Sequence, residues 1–167
     1  MKFINQINIR NKRVLIRVDY NVPIEDGQVV NDYRIRKSID TINYCLDNNA
    51  SVVLISHLGR PKGVKTKSLS LEPISWCLED MLKQKVNFID DCISQEALSA
   101  SRNLQPKEVL LLENLRFYNE ELENAALFSK TLSKLGDIYI NDAFGTAHRS
   151  HSSNVGIATY LKDKGYG

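Results

Sequence analysis

The residues best suited to chemistry stand in short clusters, each directly after a run of β-forming residues. They are Asp19-Tyr20-Asn21, His57-Leu58-Gly59-Arg60, Glu113-Asn114-Leu115-Arg116 and Asn141-Asp142, with His148, Arg149 and His151 a little further on. Arg60, Arg116 and Arg149 thus follow three different runs. Brought to one rim, their guanidinium groups would repel one another unless an anion sat between them, and their planar forks of donors match phosphate and carboxylate oxygens. The ligand that this chemistry selects is small and carries more than one negative group. Arg34 adds an independent clue, because it falls in the first turn of an expected helix, where the dipole disfavours a cation by roughly 0.3–1 kcal/mol. Asp32, just ahead, is expected to cap that helix, while Arg34 is expected to face a ligand. Asp142 and Glu113 are each open to two readings, a general base or a carboxylate that orients a loop.

The elements that must position these clusters follow from periodicity. Arg13 to Val18 is short, apolar and β-branched, and Ile35, Ile39, Ile42 and Leu46 then recur at helical spacing. Between them the insert PIEDGQVV carries Asp26-Gly27 and should form a small hairpin. The alternation continues with a strand at Ser51 to Ser56, a helix from about Leu71 to Gln84 with Pro73 in its first turn, and a strand at Lys85 to Ile89. A short helix near Ser94 to Arg102, a strand at Val109 to Leu112, a helix from Glu121 to Leu135 and a strand at Ile138 to Ile140 come next. A helical pattern through Val155, Ala158 and Leu161 follows, and the closing KDKGYG reads as a linker. Strands that alternate with crossover helices run parallel, so the fold class expected is α/β: one open parallel sheet with helices on both faces, a Rossmann-like three-layer domain over residues 1–167. In such a sheet the ligand lies beyond the carboxyl ends of the strands, where all the clusters fall.

Composition narrows the function further. A chain of 167 residues with 22 basic and 20 acidic side chains, net charge +2, lacks the basic excess of a nucleic-acid module. Leu58 to Ser70 holds Arg60, Lys62, Lys65 and Lys67 with no acid, but without interleaved aromatics it reads as a solvated mobile loop. Cys45, Cys77 and Cys92 are odd in number and widely spaced, which suits reduced core thiols better than a metal or redox site. No apolar stretch approaches a membrane span, so no membrane partner and a cytoplasmic location are expected. The chain contains no Gly-x-x-x-x-Gly-Lys, no Gly-x-Gly-x-x-Gly and no His pair at metal spacing, so neither a nucleotide nor a metal site is expected within it.

Five segments, RVDYNVP at Arg17 to Pro23, DYRI at Asp32 to Ile35, SHLGRP at Ser56 to Pro61, LLENLRF at Leu111 to Phe117 and NDAFGTAHRSHSS at Asn141 to Ser153, together resemble phosphoglycerate kinase. They fall in order along nearly the whole chain, and the one departure in the first of them is Tyr20, where the family usually has Phe. The resemblance implies that Asp19 and Asn21 hold the hydroxyl side of 3-phosphoglycerate. It places His57, Arg60, Arg116 and Arg149 around the 3-phosphate, and Arg34 near the 1-carboxylate as the catalytic arginine. It further implies a second α/β domain for Mg-ATP or Mg-ADP, absent here, so that this part alone binds acid substrate, 3-phosphoglycerate or 1,3-bisphosphoglycerate, without turnover; a monomer is expected. A stand-alone phospho-acid-binding module is the alternative.

Overall fold

The computed structural model describes residues 2–167. Seven parallel strands form the main sheet: β1 (Lys2–Phe3), β2 (Arg13–Arg17), then, beyond the hairpin β3 (Ile24–Glu25) and β4 (Gln28–Val29), β5 (Ser51–Ile55), β6 (Val86–Ile89), β7 (Val109–Leu112), β8 (Ile138–Asn141) and β9 (Asp163–Tyr166), in spatial order β1-β9-β8-β2-β5-β7-β6. Five α-helices connect them: α1 (Tyr33–Asp47), α2 (Glu72–Leu82), α3 (Gln95–Arg102), α4 (Ala126–Ser133) and α5 (Ile157–Tyr160). The hairpin turns on Asp26 and Gly27, both at positive φ (49° and 74°), the backbone that a two-residue loop between right-twisted strands requires.

The alternation of side chains along each strand divides the core in two. Val14, Ile16, Val52, Leu54, Leu111 and Ile140 point to one face and pack against Ile35, Ile42, Ile74 and Leu78 of α1 and α2. Leu15, Val53, Ile55, Leu110 and Tyr139 point to the other, against Leu98, Phe128, Leu132 and Ile157 of α3, α4 and α5. The result is the three-layer α/β arrangement expected from the sequence. From β2 the chain moves to β5, β6 and β7 on one side, then returns across the sheet to β8 and β9 on the other. That reversal leaves a crevice at the carboxyl ends of β2, β5, β7 and β8.

Several local expectations are corrected. KDKGYG is no linker: β9 lies between β1 and β8, and Gly165 is buried where a Cβ would meet the Lys2 carbonyl oxygen. Only glycine lets β1 approach so closely, and an apolarity pattern cannot show it. The helix expected from Glu121 begins at Ala126, because Asn119–Glu121 forms a separate 3-10 turn that sends Glu121 into the core. The closing helical pattern is a π turn at Ser152–Gly156 followed by the short α5. Asp32 does not cap α1; its carboxylate accepts from Arg36 Nε at 2.8 Å one turn on. The Leu58 to Ser70 segment is tied down rather than loose, with Leu58 and Pro61 buried and a 3-10 turn at Lys67–Leu69.

Candidate active site

A cleft of about 260 Å3 at the carboxyl ends of these strands is lined by Asp19, Asn21, Arg34, His57, Gly59, Arg60, Arg116, Gly145, Thr146 and Arg149. All seven residues that the resemblance implied for the ligand site are among them. The volume lies below the roughly 300–1,000 Å3 of sites for drug-sized ligands, which fits a small occupant. A larger cleft of about 470 Å3, between Lys2–Asn8 and Lys162–Lys164, opens at the amino end of β9, away from this convergence.

Each functional side chain is held by its own local structure. Asn114, at the end of β7, donates through Nδ2 to the carbonyls of Leu58 (2.8 Å) and Leu69 (2.9 Å), and its Oδ1 accepts the N–H of Leu58 and of Arg116. One buried amide therefore fixes the loop that carries His57 and Arg60 to the turn that carries Arg116. Asn21 Oδ1 accepts from the Gly59 N–H at 2.9 Å, which ties the loop after β2 to the loop after β5. Arg116 is buried, donates to the Gly59 carbonyl at 3.0 Å, and leaves its Nε without a partner. Arg34 extends from the first turn of α1, half exposed, and both Asp19 carboxylate oxygens accept from its Nη1, at 3.1 and 2.9 Å.

The field in the cleft is positive. Among the described residues Arg60, Arg116 and Arg149 form no ion pair. The pKa of Arg116 is lowered by burial, and next by Arg149 and Arg17. His57 is driven down to about 2, first by burial and then by Arg17, Arg116 and Arg149. His151 is lowered for the same reasons; it lines, with Arg60, Arg116 and Arg149, an adjoining cleft of about 280 Å3. Arg116 is crowded by other cations and no carboxylate is ion-paired with it among the described residues, an arrangement that suits an anion.

Neither carboxylate considered as a base lines the cleft. Glu113 accepts from the Ser70 hydroxyl and the N–H groups of Leu71 and Asn114, so it is a loop anchor. Asp142 faces away toward Thr41 and Gly167, its carboxyl pushed up to about 6 by burial. Sequence reasoning missed the role of Arg17, which is fully buried behind His57, and also Gly145 and Thr146 on the rim. A signal for Arg17 was present: an arginine inside an otherwise apolar strand must find partners or it cannot be buried. Among the described residues no group of three or more His, Cys, Asp or Glu side chains could hold a metal ion, and no helix is long and apolar enough to cross a membrane.

Comparison with known proteins agrees with this fold. The family model described as phosphoglycerate kinase matches residues 4–167. The phosphoglycerate kinase of Finegoldia magna is 49% identical over 162 residues, covering 96% of this chain and 41% of that protein. That of Moorella thermoacetica is 49% identical over 158 residues, covering 95% of this chain and 40% of that protein. The structure of phosphoglycerate kinase from Coxiella burnetii superposes with a TM-score of 0.89 at 37% identity, covering 99% of this chain and 41% of that one. This chain thus spans about two-fifths of the length of its relatives, and over that span it belongs to the phosphoglycerate kinase family.

Proposed function

We propose that this chain is the acid-substrate-binding half of a cytoplasmic phosphoglycerate kinase, which holds 3-phosphoglycerate in the cleft while the rest of the enzyme supplies Mg-ATP or Mg-ADP. The observation that carries the reading is the meeting of Asp19, Asn21, Arg34, His57, Arg60, Arg116 and Arg149 in one small cleft without a general base. On this reading His57, Arg60, Arg116 and Arg149 surround the 3-phosphate. Asp19 and Asn21 face the hydroxyl, and Arg34 lies toward the 1-carboxylate.

An absent base suits the reaction. The acceptor is a carboxylate with an unperturbed pKa near roughly 3.5, already ionised at neutral pH. One of its oxygens forms the new bond to the γ-phosphorus of ATP as the bond from that phosphorus to the β-phosphate bridging oxygen breaks, and ADP leaves with those electrons. No proton has to move. What remains is repulsion between two anions, which fixed positive charge opposes. Arg34 suits that task, since it is half exposed and held toward the cleft by Asp19. With the anionic acceptor bound, its second donor face is free to turn to the phosphoryl group in transit.

Calorimetric titration of 3-phosphoglycerate into the chain tests the reading. One site per chain is expected, with amide resonances of Gly59 and Thr146 shifted in a parallel NMR titration. Adding Mg-ATP should release no ADP. Absence of binding, or shifts confined to the cleft between Lys2 and Lys164, would remove the assignment.

A further inference from the structure

Behind His57 lies a buried chain of polar groups that electrostatic attraction of an anion does not by itself require. Its centre is Arg17, the last residue of β2, which is 1% exposed. Arginine has donors only and keeps its charge in proteins, so it dictates where every proton along the chain must sit. On one side its Nε donates to Ser153 Oγ at 2.8 Å. The Ser153 hydroxyl must therefore give its own proton to Glu121 Oε1, while Oε2 of the same carboxylate accepts the Ser153 N–H at 3.1 Å. Both oxygens of Glu121 act as acceptors, as in an ionised carboxylate that balances the buried guanidinium. On the other side Arg17 Nη2 lies 2.8 Å from His57 Nδ1. That nitrogen can only accept, so the proton of the neutral ring is on Nε2.

His57 lines the cleft, and no described residue accepts from its Nε2. The tautomer matters because a neutral imidazole offers one donor and one lone pair. Turned the wrong way, it would present the lone pair to phosphate oxygens and repel them. Protonation, the usual way to make both nitrogens donors, is opposed here first by burial and then by Arg17, Arg116 and Arg149.

We infer that Glu121, Ser153 and Arg17 are positioning residues that lock His57 as the Nε2–H tautomer, so that the ring meets the ligand's phosphate as a hydrogen-bond donor and never as an acceptor. This rests on the proposed function only for the nature of the ligand. The lock itself requires no ligand, and it links the site to the Ser152–Gly156 turn that leads into α5. A core polar chain that ends in a fixed donor would also explain why Glu121 leaves the helix that its sequence neighbours favour.

The test is nitrogen-15 NMR of the histidine rings in the free chain from pH 5 to pH 8, with His57 assigned by its loss in His57→Gln. The inference requires a ring with bare Nδ1 and protonated Nε2 that does not titrate. A ring protonated on Nδ1, or one titrating near the ordinary value of about 6.5, overturns it. Ser153→Ala keeps the chain's apolar contacts and removes one link, and Arg17→Met removes the donor to His57. In whichever variant keeps a dispersed amide spectrum, His57 should show mixed tautomers or an ordinary titration, and 3-phosphoglycerate should bind about tenfold more weakly. A folded variant with a His57 spectrum like the parent's refutes the positioning role. Adding 3-phosphoglycerate to the parent chain should move the Nε2–H proton downfield. A locked tautomer whose Nε2–H ignores the ligand leaves the relay standing but overturns its phosphate target.

Discussion

Protonating His57 would place a positive charge on a buried ring that already faces Arg17, Arg116 and Arg149, and this has a consequence in the absence of any ligand. The folded ring, at about 2, lies below its ordinary value of 6.5, so the unfolded chain takes up the proton first as the pH falls. Stability from this group is therefore complete above the unfolded value and is lost as the pH drops from about 6.5 toward 2. Between pH 7 and pH 4.5 the loss should approach about 2.5 kcal/mol, its slope reaching about 1.4 kcal/mol per pH unit only toward the acid end, where one proton is taken up by the unfolded state alone. Urea unfolding of the chain and of His57→Gln across that range isolates the effect, because the variant lacks this slope and shares most others. Parallel stability curves would show that the ring protonates as readily folded as unfolded. At this scale most cleft-lining residues were legible in the sequence, since Asp19, Asn21, His57, Arg60 and Arg116 follow strands and carry polar heads, while Arg34 stands in the first turn of a helix. Arg17 was signalled by its place in an apolar strand, but its linkage to Ser153 and Glu121 was not legible, because they meet through contacts 32 to 136 residues apart that no spacing encodes.

Elements place those residues, and one buried side chain does much of the placing. Asn114 offers two donors to the carbonyls of Leu58 and Leu69 and one oxygen to the N–H groups of Leu58 and Arg116. Replacing it with the isosteric Asp preserves the acceptor but turns an oxygen toward two carbonyls that then lack donors. Leaving buried acceptors unsatisfied costs about 1–3 kcal/mol each, so Asn114→Asp should lower the unfolding free energy by roughly 2–4 kcal/mol in urea. It should also weaken 3-phosphoglycerate binding, since the freed loop carries His57 and Arg60. An unchanged midpoint would mean that the loop is held by its apolar residues, Leu58 and Pro61, alone. The same scale separates what periodicity revealed from what it could not. The strands β2, β5, β7 and β8 are dense apolar runs with both faces covered, and their sequences read accordingly. The strand β9 is Asp-Lys-Gly-Tyr near the sheet's edge, where position between neighbours rather than apolarity makes it a strand. The helix α4 starts late because Glu121 is buried and accepts from the N–H and hydroxyl of Ser153, which outweighs its helix propensity.

For the molecule as a whole, the balance of charge is the property a ligand should change. The net charge is only +2, yet the cleft gathers Arg60, Arg116 and Arg149 with no ion pair among the described residues, so cationic repulsion is concentrated where the anion is proposed to bind. A ligand that binds the folded chain alone stabilises it by RT ln(1 + [L]/Kd), about 2.7 kcal/mol at a hundredfold excess over Kd. For a domain of this size each kcal/mol moves the melting temperature by about 2–4 °C, so saturating 3-phosphoglycerate should raise Tm by roughly 5–10 °C. Truncated ligands then divide the effect. Glycerate lacks the phosphate that the three arginines and the Nε2–H of His57 are proposed to hold, and should give little of the rise. Glycerol 3-phosphate lacks the carboxylate near Arg34 and should give most of it, because Arg34 is already paired with Asp19 in the free chain. The increments should shrink at high salt for exposed Arg60 and Arg149, and persist for buried Arg116, whose field is screened less. Equal stabilisation by glycerate and glycerol 3-phosphate would show that the cleft senses charge alone and does not distinguish the two ends of its acid.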